Sequence, residues 1–196
     1  MSGTLSLRTS DGLALTLHRQ RWMGPGTASE LRLLDRVLPP VLDVGCGPGR
    51  LIRALAERGI VALGIDAAPT AVDIAGSRGL AVLRRSVFER IPGAGRWGTA
   101  LLLDGNVGIG GDPEALLRRV AGLLRPGGRV LVEAEPPGVP TEVTWARIEN
   151  GAEIGPPFRW ARVGVDGLSD VVRKAGLCVV ETWSADRRWF AVLDRP

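Results

Sequence analysis

A short, mainly apolar run, Val41 to Val44, ends in Gly45-Cys46-Gly47-Pro48-Gly49 and passes at once into Leu51 to Arg58, whose apolar residues recur at helical spacing. A strand that enters a helix through so glycine-rich a turn, with Gly59 stopping that helix, is the opening half of a strand-helix-strand unit. The pattern then repeats. Ile60 to Ile65 is a second apolar run closed by Asp66, and Pro69 to Ser77 is a helix opened by proline and ended near Gly79. Leu80 to Leu83 and Thr99 to Leu103 supply the third and fourth strands. Asp112 caps a helix over Glu114 to Leu124, Arg125-Pro126-Gly127-Gly128 breaks it, and Arg129 to Ala134 is the fifth strand. Apolar strands separated by helices call for a parallel sheet covered on both faces, so the fold class is α/β, doubly wound and Rossmann-like.

Pro136 to Arg162 interrupts the alternation with two strand-like stretches, Glu142 to Ile148 and Phe158 to Val163, around Gly151, and this reads as an inserted hairpin packing on the sheet edge. A helix over Asp166 to Ala175 precedes strands at Leu177 to Trp183 and Trp189 to Leu193. The turn between them is too short for a parallel crossover, so a seven-stranded, mostly parallel sheet should end in an antiparallel strand. Trp183, Arg187, Arg188, Trp189 and Phe190 read as edge-strand packing. Upstream, Thr4 to Leu17 reads as a hairpin around Ser10-Asp11-Gly12 and Thr27 to Leu38 as a helix, together capping the carboxyl edge of the sheet. One domain over 1–196 results: an N-terminal cap 1–40, a core 41–135, the inserted hairpin 136–164 and a C-terminal helix and strand pair 165–196.

A formal net charge of +4 raises nucleic acid as a partner, but the basic residues are scattered among 21 acidic ones without a long run, so nucleic acid is not the expected partner. Cys46 and Cys178 lack metal or redox spacing, and no cluster of ligating residues suggests a metal. His18, the only histidine, reads as structural. No long apolar stretch or leader-like segment is present, from which no membrane association and a cytoplasmic setting are expected.

Ligands of open α/β sheets bind beyond the carboxyl ends of the strands, where strand order reverses. Gly45 and Gly47 there let backbone approach a ligand, and Asp66, about 20 residues on, suits the two hydroxyls of a ribose. Together they specify an adenosine-type ligand. A dinucleotide would need a third glycine where Arg50 stands, and Asp43 suits a sulfonium and an amino group better than a pyrophosphate. A nicotinamide-dependent oxidoreductase and a non-catalytic binding domain remain the alternatives.

Leu42-Asp43-Val44-Gly45-Cys46-Gly47-Pro48-Gly49 resembles the first motif of class I S-adenosylmethionine-dependent methyltransferases. Gly64-Ile65-Asp66, Leu103-Asp104-Gly105-Asn106 and Leu123 to Val130 resemble the family's later motifs, in the right order. The resemblance implies S-adenosylmethionine as methyl donor and S-adenosylhomocysteine as product. It places Gly45, Cys46 and Gly47 along the methionine moiety, Asp43 beneath it, Asp66 with Ala67 at the ribose, and Ser86 and Val87 beside the adenine. Ser86 departs from the aspartate usual there. Asp104 and Asn106 become the candidates for contacting the substrate or the methionine group, Asp104 serving the cofactor as well. The expected acceptor is a small molecule, with Trp145, Arg147, Phe158, Arg159, Trp160 and Arg162 of the insertion as candidate pocket walls.

Overall fold

The computed structural model describes residues 5–10, 12–16, 19–151 and 153–196, so His18 and the two ends of the Thr4 to Leu17 stretch lie outside the described residues. Within that stretch β1 (Leu5–Thr9) and β2 (Ala14–Thr16) pair antiparallel. Next comes a short helix that the sequence pattern does not announce, α1 (Arg19–Met23), and then α2 (Ala28–Leu33). Thr27 caps α2 in a reciprocal box: its hydroxyl accepts the Glu30 N–H at 3.3 Å, and the Glu30 carboxylate accepts the Thr27 N–H at 2.9 Å. The helix expected to reach Leu38 gives way to a tighter turn over Leu34–Arg36, because Val37 is already extended ahead of Pro39 and Pro40.

The alternating core follows as β3 (Val41–Val44), α3 (Arg50–Glu57), β4 (Ala62–Asp66), α4 (Pro69–Ser77), β5 (Val82–Arg84), β6 (Trp97–Leu102), α5 (Pro113–Leu123) and β7 (Leu124–Ala134). β8 (Glu142–Asn150), β9 (Glu153–Ile154), β10 (Phe158–Arg162), α6 (Val165–Lys174), β11 (Cys178–Ala185) and β12 (Arg188–Asp194) complete it. The seven-stranded sheet has the order β11-β12-β7-β6-β3-β4-β5, with β12 antiparallel to both of its neighbours. Strand order reverses between β3 and β6. β7 starts before its expected first residue: Leu124 pairs with Trp97, and pairing resumes at Arg129 with Thr99, so Arg125 to Gly128 bulge from a continuing strand. β12 is an interior strand and β11 the edge, which corrects the reading of Arg188, Trp189 and Phe190 as edge packing.

The two-residue period of the strands sorts the core into two faces. Leu42, Val44, Ala100, Leu102, Val130 and Val132 meet α5 and α6, whereas Val41, Leu101, Leu103, Leu131, Phe190 and Val192 meet α2 and α3. Burying each such side chain contributes roughly 1.5–3 kcal/mol. On the second face the same period puts Asp43 two residues after Val41, Glu133 two after Leu131 and Arg188 two before Phe190. Charged residues thus occupy the carboxyl end of an apolar face.

The insertion does not lie on the sheet edge. β8 and β10 pair with each other, and β8 pairs with β1, so the N-terminal hairpin and the insertion form one separate sheet in the order β10-β8-β1-β2. Bridges from Ile109 to Trp160 and from Glu135 to Gly164 fasten it over the ends of β6 and β7.

Candidate functional site

The turn after β3 is held from both sides. The N–H groups of Gly45 and Cys46 donate to Ile65 O at 2.8 and 3.1 Å, and the Asn106 amide donates to the carbonyls of Val44 and Gly45 at 2.9 and 3.0 Å. Gly45 has φ 72°, and a Cβ there would lie 2.5 Å from Asn106 Nδ2, so this position needs glycine on two counts. Gly47, at φ 54°, faces open space instead, with no heavy atom within 4 Å of the place a Cβ would take. Its N–H donates to Asp66 Oδ2 at 2.8 Å, and Asp66 Oδ1 accepts the Ala68 N–H at 2.8 Å. Asp66 therefore does serve the start of α4, and it also joins the first two motifs into one surface.

The other residues singled out in the sequence have different surroundings. Asp43 is only 3% exposed. Burial pushes its carboxyl up to about 7; the Arg50 charge pulls it down, while Asp104, Asp66 and Glu30 push it further up. Cys46 is buried, and burial followed by the charges of Asp43 and Asp66 drives its thiol far above the usual range. It is therefore a packing group, not a nucleophile. Ala67 is exposed and Val87 is in the core. The Ser86 hydroxyl accepts the Phe88 N–H at 3.3 Å, while the Glu89 carboxylate folds back onto the Ser86 N–H at 2.6 Å. A carboxylate thus reaches this loop even though position 86 is not aspartate.

Asp104, left-handed at φ 57°, belongs to a network of three arginines and three carboxylates. Its carboxylate accepts from Arg50 Nη2 at 2.6 Å, Arg21 Nη2 at 3.0 Å and Arg188 Nη2 at 3.3 Å. Glu30, fully buried, accepts from the same three arginines at 2.6 to 3.2 Å. Glu133 holds Arg188 through both oxygens at 2.5 and 2.7 Å and accepts the Asp104 N–H at 2.6 Å. Burial alone would push the Glu30 carboxyl up, but the Arg50 hydrogen bond and charge, the Thr27 N–H and Arg21 hold it well below the usual range. Arg188 stays charged in turn: burial opposes its charge, and Glu133, Asp104 and Glu30 more than offset it. The network fastens α1 and α2 to the start of α3 and to the ends of β6, β7 and β12.

Beyond Asp104 a cavity of about 390 Å³ opens between the two sheets. Trp160 and Arg162 of β10, Leu7 of β1, Trp22 of α1 and the ends of β6, β7 and β12 line it. The pocket walls suggested by the insertion are divided by strand alternation. Trp160 and Arg162 line the cavity, with Phe158 edge-on to Trp160 at 6.0 Å, whereas Trp145 and Arg159 pair with each other in a cation–π contact at 5.4 Å and do not line it. Arg147 pairs with Glu149 at 2.8 Å.

Glu30, Arg50, Glu133 and Arg188 are not among the site residues expected from the sequence, although Arg50 and Arg188 have other expected roles there. The signal for Glu30 was present in the Thr27-x-x-Glu30 spacing, which marks a capping box. Arg188 gave no local signal, since its partner Glu30 lies 158 residues away. Among the described residues no group of three or more His, Cys, Asp or Glu is placed to hold a metal ion.

The family described as "Methyltransferase domain" matches residues 18–147. A ubiquinone biosynthesis O-methyltransferase of Cereibacter sphaeroides (strain KD131 / KCTC 12085) is 32% identical over 155 residues, 72% of this chain and 61% of that protein. The chain therefore spans about three fifths of the length of this curated relative. Among solved structures, a SAM-dependent methyltransferase from Bacteroides fragilis in complex with S-adenosyl-L-homocysteine superposes with a TM-score of 0.82 at 22% identity, covering 98% of this chain and 88% of that one. The Burkholderia thailandensis 1,6-didemethyltoxoflavin-N1-methyltransferase, with bound 1,6-didemethyltoxoflavin and S-adenosylhomocysteine, superposes with a TM-score of 0.60 at 22% identity over 85% of this chain and 75% of that one. At these identities the two structures speak for the fold.

Proposed function

The chain belongs to the methyltransferase-domain family, and from that membership we propose that it transfers a methyl group from S-adenosylmethionine to a small-molecule acceptor, releasing S-adenosylhomocysteine. The observation that carries this reading is the turn itself: Gly47, with open space before it, donates to Asp66, and Gly45 is held by Asn106, two residues beyond the Asp104 that borders the cavity.

The residues fit the cofactor on physical grounds. Gly47 leaves room against the backbone for a ligand, and Asp66, with Ala67 beside it, ends the neighbouring strand with a carboxylate bonded to the same turn, where a ribose would lie. Gly45 abuts Asn106, two residues beyond Asp104, while Cys46 packs its side chain against Gly64 beneath the turn. Asp43, buried and reluctant to ionise alone, gains a counter-charge from an ammonium and a sulfonium. Ser86 and Val87 flank the adenine end, with Glu89 supplying the carboxylate that Ser86 does not. When bound, the sulfonium supplies an electrophilic methyl group.

The chain's own task is then alignment, since displacement at carbon needs the acceptor atom in line with the leaving sulfur. Asn106 performs part of it as a positioning residue, pinning the carbonyls of Val44 and Gly45. Asp104, whose carboxylate is engaged by three guanidinium groups, fixes the border between cofactor and acceptor and does not remove a proton.

A small-molecule acceptor is supported by the size of the cavity, whose arginines Arg21, Arg162 and Arg188 are tied to carboxylates. Among the described residues no helix is long and apolar enough to cross a membrane, and both cysteines are free, which fits a cytoplasmic setting. The test is incubation with S-adenosylmethionine and the low-molecular-mass fraction of a cell extract, followed by mass spectrometry. Accumulation of S-adenosylhomocysteine with a matching methylated small molecule supports the reading; binding without transfer in any fraction reduces the protein to a binding domain.

A further inference from the structure

We propose that the acceptor is a planar aromatic molecule carrying an anionic group, a carboxylate or its equivalent, and that Arg187 receives that group at the rim of the cavity. This deepens the methyl-transfer reading and rests on it.

The argument begins with charge balance. The cavity is lined by Arg21, Arg162, Arg187 and Arg188 against Asp104, Glu133 and Glu135. Arg188 is committed to Glu133, Asp104 and the buried Glu30, and Arg21 to Glu30 and Asp104. Arg162 pairs with Glu135 at 3.2 Å. Every carboxylate of the lining is therefore taken. Arg187 has no ion pair or hydrogen bond among the described residues, not even with its chain neighbour Asp186. An uncompensated cation at the mouth of a partly closed cavity attracts an anion more strongly than the same charge in open water does.

The backbone points the same way. Asp186 and Arg187 form the two-residue turn between β11 and β12 with φ 53° and 61°, a left-handed pair for which asparagine and glycine are the ordinary choices. Arginine gains nothing there from the turn itself. Its presence at a strained position facing the cavity is accounted for by what the side chain binds. The same lining includes Trp22 and Trp160, with Pro136 and Val107 adding apolar surface. These aromatic and apolar side chains suit the flat body of a ligand, and Arg187 its charged end.

The test is calorimetric titration of the full chain, loaded with S-adenosylhomocysteine, by benzoate, 4-hydroxybenzoate, 3,4-dihydroxybenzoate and indole-3-carboxylate, each against its methyl ester. The acids are expected to bind at least about tenfold more tightly than the esters. Arg187→Gln should abolish that preference, and Arg187→Lys should keep most of it. Equal binding of acid and ester, no binding of either form across the panel, or an undiminished preference in Arg187→Gln overturns the proposal. Binding of S-adenosylhomocysteine is measured first and does not involve Arg187. If it fails, the methyl-transfer reading fails; if it succeeds while the acids show no preference, only the anionic-acceptor proposal falls.

Discussion

Replacing Glu30 by glutamine removes one charge from a network in which three arginines and three carboxylates balance. The side chain is 0% exposed and receives five hydrogen bonds, from Thr27 N, Arg21 Nη2, Arg50 Nε, Arg50 Nη2 and Arg188 Nη1. Glutamine keeps the shape but accepts through one oxygen only and carries no charge, leaving three buried or half-buried guanidinium groups against two carboxylates. Breaking a buried pair in this way costs about 3–5 kcal/mol. For a chain of this length each kcal/mol is worth roughly 2–4 °C, so the midpoint should fall by about 10 °C. Glu181→Gln, which breaks the half-exposed pair with Arg36 at 2.9 Å, is the control and should cost far less, since water and salt screen that pair. Thermal and urea unfolding at pH 7 measure both. Because the Glu30 carboxyl in the fold lies below its ordinary value of 4.5, its contribution is fully present above that value and is lost only as pH falls toward the lower one. The gap between wild type and Glu30→Gln should therefore be constant from pH 7 to pH 5 and close only in stronger acid. A loss no larger than that of Glu181→Gln, or a gap that narrows near pH 6, refutes the account of the network.

Two further perturbations test the turn and the buried carboxyl. Gly45→Ala should destabilise more than Gly47→Ala, since both impose a left-handed conformation at about 1–2 kcal/mol and only the first also collides with Asn106. Combining Gly45→Ala with Asn106→Ala should cost less than the sum of the two, a coupling that a double-mutant cycle in urea reads directly. Asp43, whose folded value of about 7 stands above its ordinary 3.8, favours the fold fully below 3.8 and loses that advantage as pH rises to about 7. Asp43→Asn has no proton to lose, so its stability relative to wild type should improve between pH 4 and pH 8 by up to roughly 4 kcal/mol. A difference independent of pH would count against a neutral Asp43. In the wild type, S-adenosylmethionine should bind more tightly as pH rises through 7, and in Asp43→Asn that dependence should be flat.

The strands of the main sheet were legible because buried parallel strands are nearly continuous apolar runs, and Gly59, Asp112 and Pro113 mark helix ends by backbone chemistry that any context shares. The second sheet was not legible. Alternation shows that Leu5–Thr9 and Glu142–Asn150 can be strands, but nothing in either says that Leu7 will pair with Ile148. The same alternation could have separated Trp160 and Arg162 from Trp145 and Arg159, because residues one apart on a strand face opposite ways. The glycine turn and Asp66 could be related in the sequence because each closes a strand of one strand-helix-strand unit, and the structure joins them through the Gly47 N–H. Arg188 looked like edge packing because its meaning lies in Glu30, Asp104 and Glu133, which reach it from three other elements. Arg50 was read for the glycine it replaces, and its actual partners, Glu30 and Asp104, lie 20 and 54 residues away on other elements.

The central claim is that the turn from Val41 to Arg50, with Asp66, holds S-adenosylmethionine beside an acceptor cavity. Its most direct test is calorimetric titration of the purified chain with S-adenosylhomocysteine and, separately, with NAD. One equivalent of S-adenosylhomocysteine should bind at micromolar affinity, Asp66→Ala should weaken it by at least about tenfold, and NAD should give no heat. Absence of S-adenosylhomocysteine binding, or tighter binding of NAD, would contradict the account.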